Sequence, residues 1–221
     1  MFVYALSTQG IDDTIFSVAN ALEIPVLLLA LAALAVVIFE VGTFFVEVRS
    51  RHGRKVDVER AAESTRQALL ANNLEQASHA AQRVARSAPM AEALSVIVTH
   101  ARVLGGEHRL NKALADFDYD AQRRLALTRL LVRAGPALGL MGTLIPLSPA
   151  LTGLAQGNVA RLSLNLRVAF SVTVLGLLVG AIAFGLSLYR DRMYGQDLSD
   201  LEYLTAVVSD PRTLPEPDSH D

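Results

Sequence analysis

The chain has 221 residues, of which 52% are hydrophobic, and its mean hydropathy of +0.35 is typical of a membrane protein. The formal net charge is only -2, so the charge balance indicates no nucleic-acid partner. The sequence contains no cysteine, which excludes a disulfide framework, a thiolate nucleophile and a cysteine-based metal site. No metal and no other cofactor is predicted, because no ligand spacing links the histidines, which are His52, His79, His100, His108 and His220.

Residues 1–21 carry no Lys or Arg, so they do not resemble a cleaved secretory signal. We expect this segment to lie outside the cytoplasm and to form a short amphipathic helix on the membrane surface. The first membrane span is predicted at residues 22–46, with Pro25 near its start, where a helix tolerates proline.

Glu40 is the one charged residue between Ile24 and Val46, and a carboxylate within a span is a functional candidate by default. Arg49 and Arg51 follow closely, so we expect Glu40 to lie near the lipid headgroups and to pair or snorkel there. A direct role for Glu40 in ion movement is the alternative.

Residues 47–133 are predicted to form a cytoplasmic helical domain, because 15 of the 20 Lys and Arg residues fall in this segment. The N-terminus is then outside and the C-terminus in the cytoplasm. Apolar periodicity, turn residues and Pro89 predict helices at Val58–Leu69, Leu74–Arg86 and Met90–Val103. A fourth helix begins near Glu107 and runs directly into the second span.

The second span is predicted at residues 134–156, because no charge occurs between Arg133 and Arg161 and about 20 apolar residues suffice to cross a bilayer. An external hairpin at residues 157–167 and a third span at residues 168–189 follow. Residues 190–221 are expected to form a cytoplasmic C-terminal helix and a disordered tail. The sequence thus predicts an all-α membrane protein with three transmembrane helices and a helical cytoplasmic domain.

Glycines at four-residue spacing occur in both later spans, Gly135 with Gly139 and Gly176 with Gly180, and Gly142 follows the first pair. Small residues at this spacing let two membrane helices approach closely. Taken alone, the pattern predicts helix packing.

Thr143 and Thr173 are the candidate ion-pathway residues of the second and third spans. Counted from the ends of their own spans, they are expected to lie roughly 10 to 15 Å apart in depth, at 1.5 Å per residue. Two such hydroxyls could line a polar route through an oligomer, although a membrane threonine is most often bonded back to its own helix. Neither span contains Asp, Glu, Lys, Arg or His, so a partner must supply the titratable group unless Glu40 serves.

The stretch GPALGLMGTLIPL, with its G-L-x-G-T core, resembles the second-last helix of the MotA/TolQ/ExbB proton channel family. FSVTVLGLLVGAIAF is similar to the last helix of that family, and NNLEQASHAAQRVARSAPMAEAL is similar to its cytoplasmic loop. The resemblance covers roughly Leu69 to Tyr189, and the topology is that of the three-span TolQ/ExbB proteins. Pro146 and Val168 depart from the family pattern, which has a glycine and a glutamate at those positions.

The resemblance implies a homo-oligomer, with five copies expected, in a bacterial or archaeal cytoplasmic membrane. The ring would enclose helices of a single-span partner similar to TolR, ExbD or MotB. The membrane aspartate of that partner would take up and release the ion, which is expected to be a proton. Thr143 and Thr173 would face this aspartate. The chain would couple ion-motive force to mechanical work and would not be an enzyme. The alternative is a non-conducting membrane scaffold or an accessory subunit of a transporter.

Overall fold

The computed structural model describes residues 2–51, 57–103 and 105–210. Within these residues the chain forms helices and no strand; the helices are α1 (Phe2–Ala21), α2 (Glu23–Arg51), α3 (Val58–Leu70), α4 (Leu74–Gln82), α5 (Ala88–His100), α6 (Glu107–Ala155) and α7 (Val159–Val208). Three stretches are long and apolar enough to cross a membrane, namely Thr14–Arg49, Glu107–Ala155 and Val159–Val208. The all-α fold with three membrane spans is therefore confirmed.

The short helices of the predicted cytoplasmic domain begin at residues whose side chains cap them. The Asp57, Asn73 and Ser87 side chains accept hydrogen bonds from the third backbone N–H of α3, α4 and α5, respectively. Helix α4 ends at Gln82, four residues before its predicted end. Helix α5 begins two residues before its predicted start, because Pro89 occupies its first turn, where the missing N–H needs no partner.

The connection between α6 and α7 is much shorter than predicted. Helix α6 ends at Ala155 and α7 begins at Val159, so most of the hairpin expected at residues 157–167 is helical. Gly157 reverses the chain with a φ of 75°, and the Asn158 side chain caps α7 by accepting a hydrogen bond from the Arg161 N–H at 3.0 Å. The expected C-terminal helix is also not separate, since α7 continues without a break to Val208. From residue 211 onward the predicted tail lies outside the described residues.

The chain divides into two compact units, and the first consists of Met1–Phe44 and Leu127–Ser187. A buried cluster joins its three long helices through Ala33 and Val37 of α2, Leu131 of α6, and Val179 and Ala183 of α7. Apart from Leu131, these side chains are alanine or valine, which lets the helix backbones lie close together.

The second unit consists of Phe45–Ala126 and Leu188–Asp221. Its main core draws on α3 to α7 and combines alanines with larger side chains, among which Met90, Leu94, Ile97, Leu201 and Leu204 are completely buried. The second unit thus has the mixed core of a globular helical bundle, whereas the first has the small-residue packing of membrane helices.

Candidate functional site: the seam between α6 and α7

Glycines form the contact surface between α6 and α7, which we call the α6–α7 seam. A Cβ atom at Gly135 would lie 2.7 Å from the carbonyl oxygen of Gly176 and 2.8 Å from the backbone nitrogen of Gly180. A Cβ atom at Gly139 would lie 3.3 Å from the Thr173 carbonyl oxygen. The backbones are therefore too close for any larger residue at Gly135, and the four-residue glycine spacing serves helix packing.

Pro136 completes the seam beside Gly180. A Cβ atom at Gly180 would lie 2.8 Å from Cδ of the proline ring and 3.5 Å from the Val132 carbonyl oxygen. That carbonyl is the one that Pro136 leaves without its usual helical donor, because proline has no N–H. The glycine thus allows α7 to cover the position in α6 where the proline interrupts the hydrogen bonding.

The register of the seam places Thr143 and Thr173 at nearly the same depth. Gly139 lies opposite Thr173 and Gly176, and Gly142 lies against the Val172 side chain. Thr143 follows Gly142, and Thr173 follows Val172 in the opposite direction, so in this antiparallel pair the two threonines lie about two residue rises, roughly 3 Å, apart in depth. The expected separation of 10 to 15 Å was wrong, because it was counted from the ends of two uncharged segments that are offset along the seam.

Both threonine hydroxyls donate hydrogen bonds to backbone carbonyls. The Thr173 Oγ1 lies 3.2 Å from the carbonyl oxygen of Gly139 on α6 and 3.2 Å from that of Ala169 on its own helix. The Thr143 Oγ1 donates to the Leu140 carbonyl at 2.7 Å. Thr173 therefore links the two helices, while Thr143 bonds within its own helix; each oxygen still has lone pairs that can accept.

The two threonines lie on one edge of the α6–α7 pair, which we call the threonine face. At roughly 100° per residue, Thr143 lies about 80° around α6 from Gly135, and Thr173 about 60° around α7 from Gly176 in the same sense. In antiparallel helices these rotations bring both side chains to the same edge. The hydroxyls are surrounded by exposed apolar side chains, among them Leu140, Leu144, Phe170, Val174 and Leu177.

The threonine face is directed away from α2. Leu138 of α6 and Ile182 of α7 pack against the buried cluster that contains Ala33 and Val37 of α2. Thr143 lies about 140° around α6 from Leu138, and Thr173 about 180° around α7 from Ile182. Within the first unit, the hydroxyls are therefore on the side of the helix pair opposite to α2.

Glu40 is half-buried on α2, at helical spacing from Val26, Ala30, Ala33 and Val37, which are all buried. It therefore belongs to the inward stripe of the helix, not to its lipid-facing side. The ion pairs of Arg51 go to Glu47 at 3.4 Å and Asp197 at 2.8 Å, and the expected position of Glu40 near the headgroups stays a prediction.

The second unit contains a buried group of charges, the Asp197 cluster, that sequence reasoning missed. Asp197 is completely buried and lies 2.8 Å from Arg51 of α2 and 3.1 Å from Arg86, which follows α4. Arg86 also binds Asp200 at 2.6 Å. Burial lowers the pKa of Arg86, but its hydrogen bonds to Asp197 and Asp200 outweigh burial, so the pKa is raised.

Glu47, Arg190 and Tyr194 extend the Asp197 cluster along α2 and α7. The Glu47 carboxylate lies 3.6 Å from Arg190 and accepts a hydrogen bond from the Tyr194 hydroxyl at 3.3 Å. The Arg51 guanidinium lies 5.8 Å from the centre of the Tyr194 ring. Burial raises the pKa of Tyr194, and the Glu47 charge raises it further.

Sequence reasoning could have found these residues from spacing. Asp197 lies four residues before Leu201 and seven before Leu204, on a stripe of α7 that is buried at intervals of three and four residues: Val179, Ala183, Leu186, Arg190, Tyr194, Asp197, Leu201, Leu204 and Val208. A charged residue on such a stripe is a candidate for a buried ion pair. Among the residues that the structure describes, no group of acidic, histidine or cysteine side chains could hold a metal ion.

The model of the MotA/TolQ/ExbB proton channel family matches residues 87–196, a range that contains all of α5 and α6, the α6–α7 seam and both threonines. No curated protein matches the chain. Members of this family are proton-channel-type subunits of energy-transducing complexes and work with membrane partner proteins. The three apolar helices agree with a membrane protein of this kind. Through residues 87–196, the chain belongs to the MotA/TolQ/ExbB proton channel family.

Proposed function

We propose that this chain is a proton-conducting subunit of an energy-transducing complex of the cytoplasmic membrane, and that its threonine face lines the ion pathway. The observation that supports the proposal is that Thr143 and Thr173 lie within about two residue rises of each other in depth, on one edge of the glycine-packed helix pair, away from α2. Two hydroxyls on the same edge of the helix pair, at similar depth in an otherwise apolar face, offer polar contacts to a neighbouring helix.

The hydrogen-bond pattern supports an acceptor role for these two hydroxyls. Each hydroxyl hydrogen is directed to a backbone carbonyl, so the outward lone pairs of Thr143 and Thr173 can accept a hydrogen bond. A protonated carboxylic acid donates one such bond. The titratable group would be a membrane aspartate of a single-span partner similar to TolR, ExbD or MotB, because α6 and α7 offer no acid near the threonines.

The assembly that fits this role is a ring of several copies, five in the family pattern, around helices of the partner. Leu140, Leu144, Phe170, Val174 and Leu177 would then contact the partner or a neighbouring copy, because they are exposed on the isolated chain. The excess of Lys and Arg in residues 47–133 supports a cytoplasmic position for that segment, with the N-terminus outside. Proton flow would drive movement of the partner within the ring.

Substitution of the two hydroxyls tests this function. We expect Thr143→Val and Thr173→Val each to reduce proton flux into liposomes at least about tenfold when the chain is reconstituted with the single-span protein that co-purifies with it, because the stabilising contact is lost. Thr152→Val is the matched control, since Thr152 is an exposed threonine of α6 that also donates to its own helix, at 3.2 Å from Ser148 O. Normal flux in both threonine variants, with the complex intact, would exclude the ion-pathway role.

The alternative is a non-conducting scaffold, and one observation favours it. The Thr173 hydroxyl bonds to the Gly139 carbonyl across the seam, which is what a purely packing residue would do. A scaffold would tolerate Thr143→Val without loss of function, because that hydroxyl bonds within its own helix. The Thr143→Val variant therefore distinguishes an ion-pathway subunit from a non-conducting scaffold better than the Thr173→Val variant does.

A further inference from the structure

The lengthwise alignment of α6 and α7 is given by contacts at separate points of the α6–α7 seam. A Cβ atom at Gly142 would meet the Val172 side chain, and one at Gly153 would lie 3.5 Å from Cδ of Arg161. Both members of the second contact lie eleven residues from those of the first, in opposite chain directions, so one antiparallel register connects the two contacts. The contacts of Gly135 described above follow the same register. Each residue along the seam of α6 therefore has a known residue of α7 at its own level.

In this register, α6 and α7 share only a short section without charge. Arg133 of α6 limits this section at one end, and Arg167 of α7 limits it at the other. The section consists of residues 134–146 and 168–180, which we call the short belt. At 1.5 Å per residue the short belt measures about 20 Å, whereas the hydrocarbon core of a typical bilayer is about 30 Å thick. Each helix alone has a longer uncharged stretch, but the two stretches are offset along the seam.

The two arginines that limit the short belt are exposed and have no carboxylate near them on α6 or α7. The side chains of Arg133 and Arg167 are both on the exposed side of their helices. The sequence contains no Asp or Glu between Asp120 and Asp191, so the two spans supply no counter-charge. Each guanidinium group therefore needs water or an anionic group from its surroundings, because a charged group in hydrocarbon is strongly unfavourable.

A bilayer of ordinary thickness cannot leave both arginines outside its hydrocarbon core. A layer of about 30 Å that begins at Arg133 reaches about 10 Å past Arg167, and one that begins at Arg167 reaches about 10 Å past Arg133. Each ångström of thinning costs little free energy, and snorkelling of the arginine side chains reduces the thinning that is required. The headgroups of both leaflets are therefore drawn toward the two arginines.

Helix α2 has an uncharged section of similar length. Glu23 and Glu40 bound residues 24–39, which measure about 24 Å at 1.5 Å per residue. This length comes from α2 alone and does not depend on the register of the α6–α7 seam. The short belt and α2 therefore both fit a hydrocarbon layer that is thinner than the typical one.

We propose that the first unit thins the bilayer beside α6 and α7, with phosphate headgroups of the opposite leaflets bound at Arg133 and Arg167. The charges are complementary, because a guanidinium group binds phosphate through two parallel hydrogen bonds and stays charged at neutral pH. The proposal requires only that α6 and α7 cross the membrane, so it does not depend on an ion pathway at the threonine face.

Selectivity for lipid chain length tests the proposal. The sequence contains no tryptophan, so Phe39→Trp, at an exposed residue of α2, gives a reporter whose fluorescence is quenched by brominated lipids. The full chain, with any protein that co-purifies, is reconstituted in phosphatidylcholine vesicles, and the same preparation without the reporter gives the background. We expect lipids with chains of about 14 carbons to bind at least about threefold more strongly than lipids with chains of about 22 carbons.

The double variant Arg133→Leu with Arg167→Leu lengthens the shared uncharged section to about 34 Å, because Arg129 and Arg161 then limit it. We expect its preference to reverse in favour of the longer lipid. Arg123→Leu is the matched control, since Arg123 is an exposed arginine of α6 ten residues before Arg133, and it should leave the preference unchanged.

Two results of this experiment would overturn the proposal. One is a preference of the unaltered protein for the longer lipid. The other is an unchanged preference in the double variant, which is the result expected if Arg167 bound an acidic group of another protein. Proton flux is not the readout, so failure of this proposal and failure of the proposed function are separate results.

Cysteine labelling gives a second test if the double variant does not accumulate, and the unaltered chain has no cysteine to give a background. Leu151 of α6 and Phe184 of α7 are exposed residues about 6 to 8 Å beyond opposite ends of the short belt. In open membrane fragments, we expect each cysteine variant, Leu151→Cys and Phe184→Cys, to react with a membrane-impermeant maleimide at least about five times faster than Leu178→Cys, which lies within the short belt. Protection of either cysteine would overturn the proposal, because hydrocarbon would then extend past the arginine at that end.

Discussion

A Cβ atom at Gly176 would lie 2.5 Å from the carbonyl oxygen of Gly135, a distance at which the two backbones would have to separate. We therefore expect Gly176→Ala to reduce the free energy of unfolding by about 1 to 3 kcal/mol, the usual cost of overpacking. Thermal unfolding of the detergent-solubilised protein measures this loss. Gly185→Ala is the matched control on the same helix, because a Cβ atom there meets nothing within 4 Å. Equal stability of the two variants would contradict the close approach at the seam.

The two threonines should differ in what they contribute to stability. Thr173→Val removes a hydrogen bond across the seam and leaves the Gly139 carbonyl without this donor, so we expect a loss of about 1 kcal/mol. Thr143→Val removes only a bond within its own helix and should cost less than about 0.5 kcal/mol. Denaturant titration of both variants checks the order, and a larger loss for Thr143→Val would show that the hydrogen bonds are assigned to the wrong hydroxyls.

Removal of the Asp197 carboxylate should be the most destabilising single change in the second unit. Asp197→Ala removes one carboxylate from both Arg51 and Arg86, which are largely buried, and leaves them only Glu47 and Asp200, which predicts a loss of about 3 kcal/mol, the lower end of the range for a broken buried pair. The exposed ion pair of Lys112 with Asp116 serves as the comparison, and Asp116→Asn should have no measurable effect. Chemical unfolding followed by circular dichroism gives both values. A loss below 1 kcal/mol for Asp197→Ala would argue against a closely paired cluster.

Tyr194 should make the second unit sensitive to alkaline pH. Because the pKa of Tyr194 is raised in the folded protein, the folded state holds this proton more tightly than the unfolded state does. The contribution of this proton to the free energy of unfolding is fully present below the ordinary tyrosine pKa of about 10. It is lost as the pH rises through the higher pKa that Tyr194 has in the folded state. Between about pH 8 and about pH 12, the free energy of unfolding should fall less steeply with rising pH for Tyr194→Phe than for the unaltered chain. Identical slopes would show that Tyr194 ionises normally.

The start of α4 depends on one capping side chain. The Asn73 Oδ1 accepts a hydrogen bond from the Gln76 N–H at 3.0 Å, and the helix has only nine residues. We expect Asn73→Ala to cost about 1 kcal/mol, because a helix N–H is then left to water. Ser95→Ala is a suitable control, since the Ser95 hydroxyl is exposed and donates back to Glu92 within α5. Hydrogen exchange at residues 74–77 should rise in the first variant only.

The number of spans and the glycine contacts could be predicted from the sequence because both depend on local composition and spacing. Uncharged stretches of sufficient length indicate membrane helices, and glycines four residues apart indicate close packing. The depth of Thr143 relative to Thr173 could not be predicted in this way. It depends on how far one helix is shifted along the other, which Gly142 and Val172 determine by contact.

The length of α7 was missed for a related reason. Arg161 and Arg167 suggest a loop, because a charged residue ends an uncharged membrane span. Charge excludes a residue from the lipid interior but not from a helix, and Asn158 provides the cap that lets the helix begin early. The Asp197 cluster was missed because an acidic residue in a polar segment is usually solvated, and its burial depends on Arg51 and Arg86, which are remote in sequence.

The three residues between α6 and α7 restrict how the membrane part of the molecule can work. With Ala155 and Val159 joined by so short a link, neither helix can travel along the other without breaking the turn at Gly157. Under the proposed function, any movement driven by proton flow would therefore carry the first-unit parts of α6 and α7 together, and sliding would occur at the surfaces that this helical hairpin presents to other molecules.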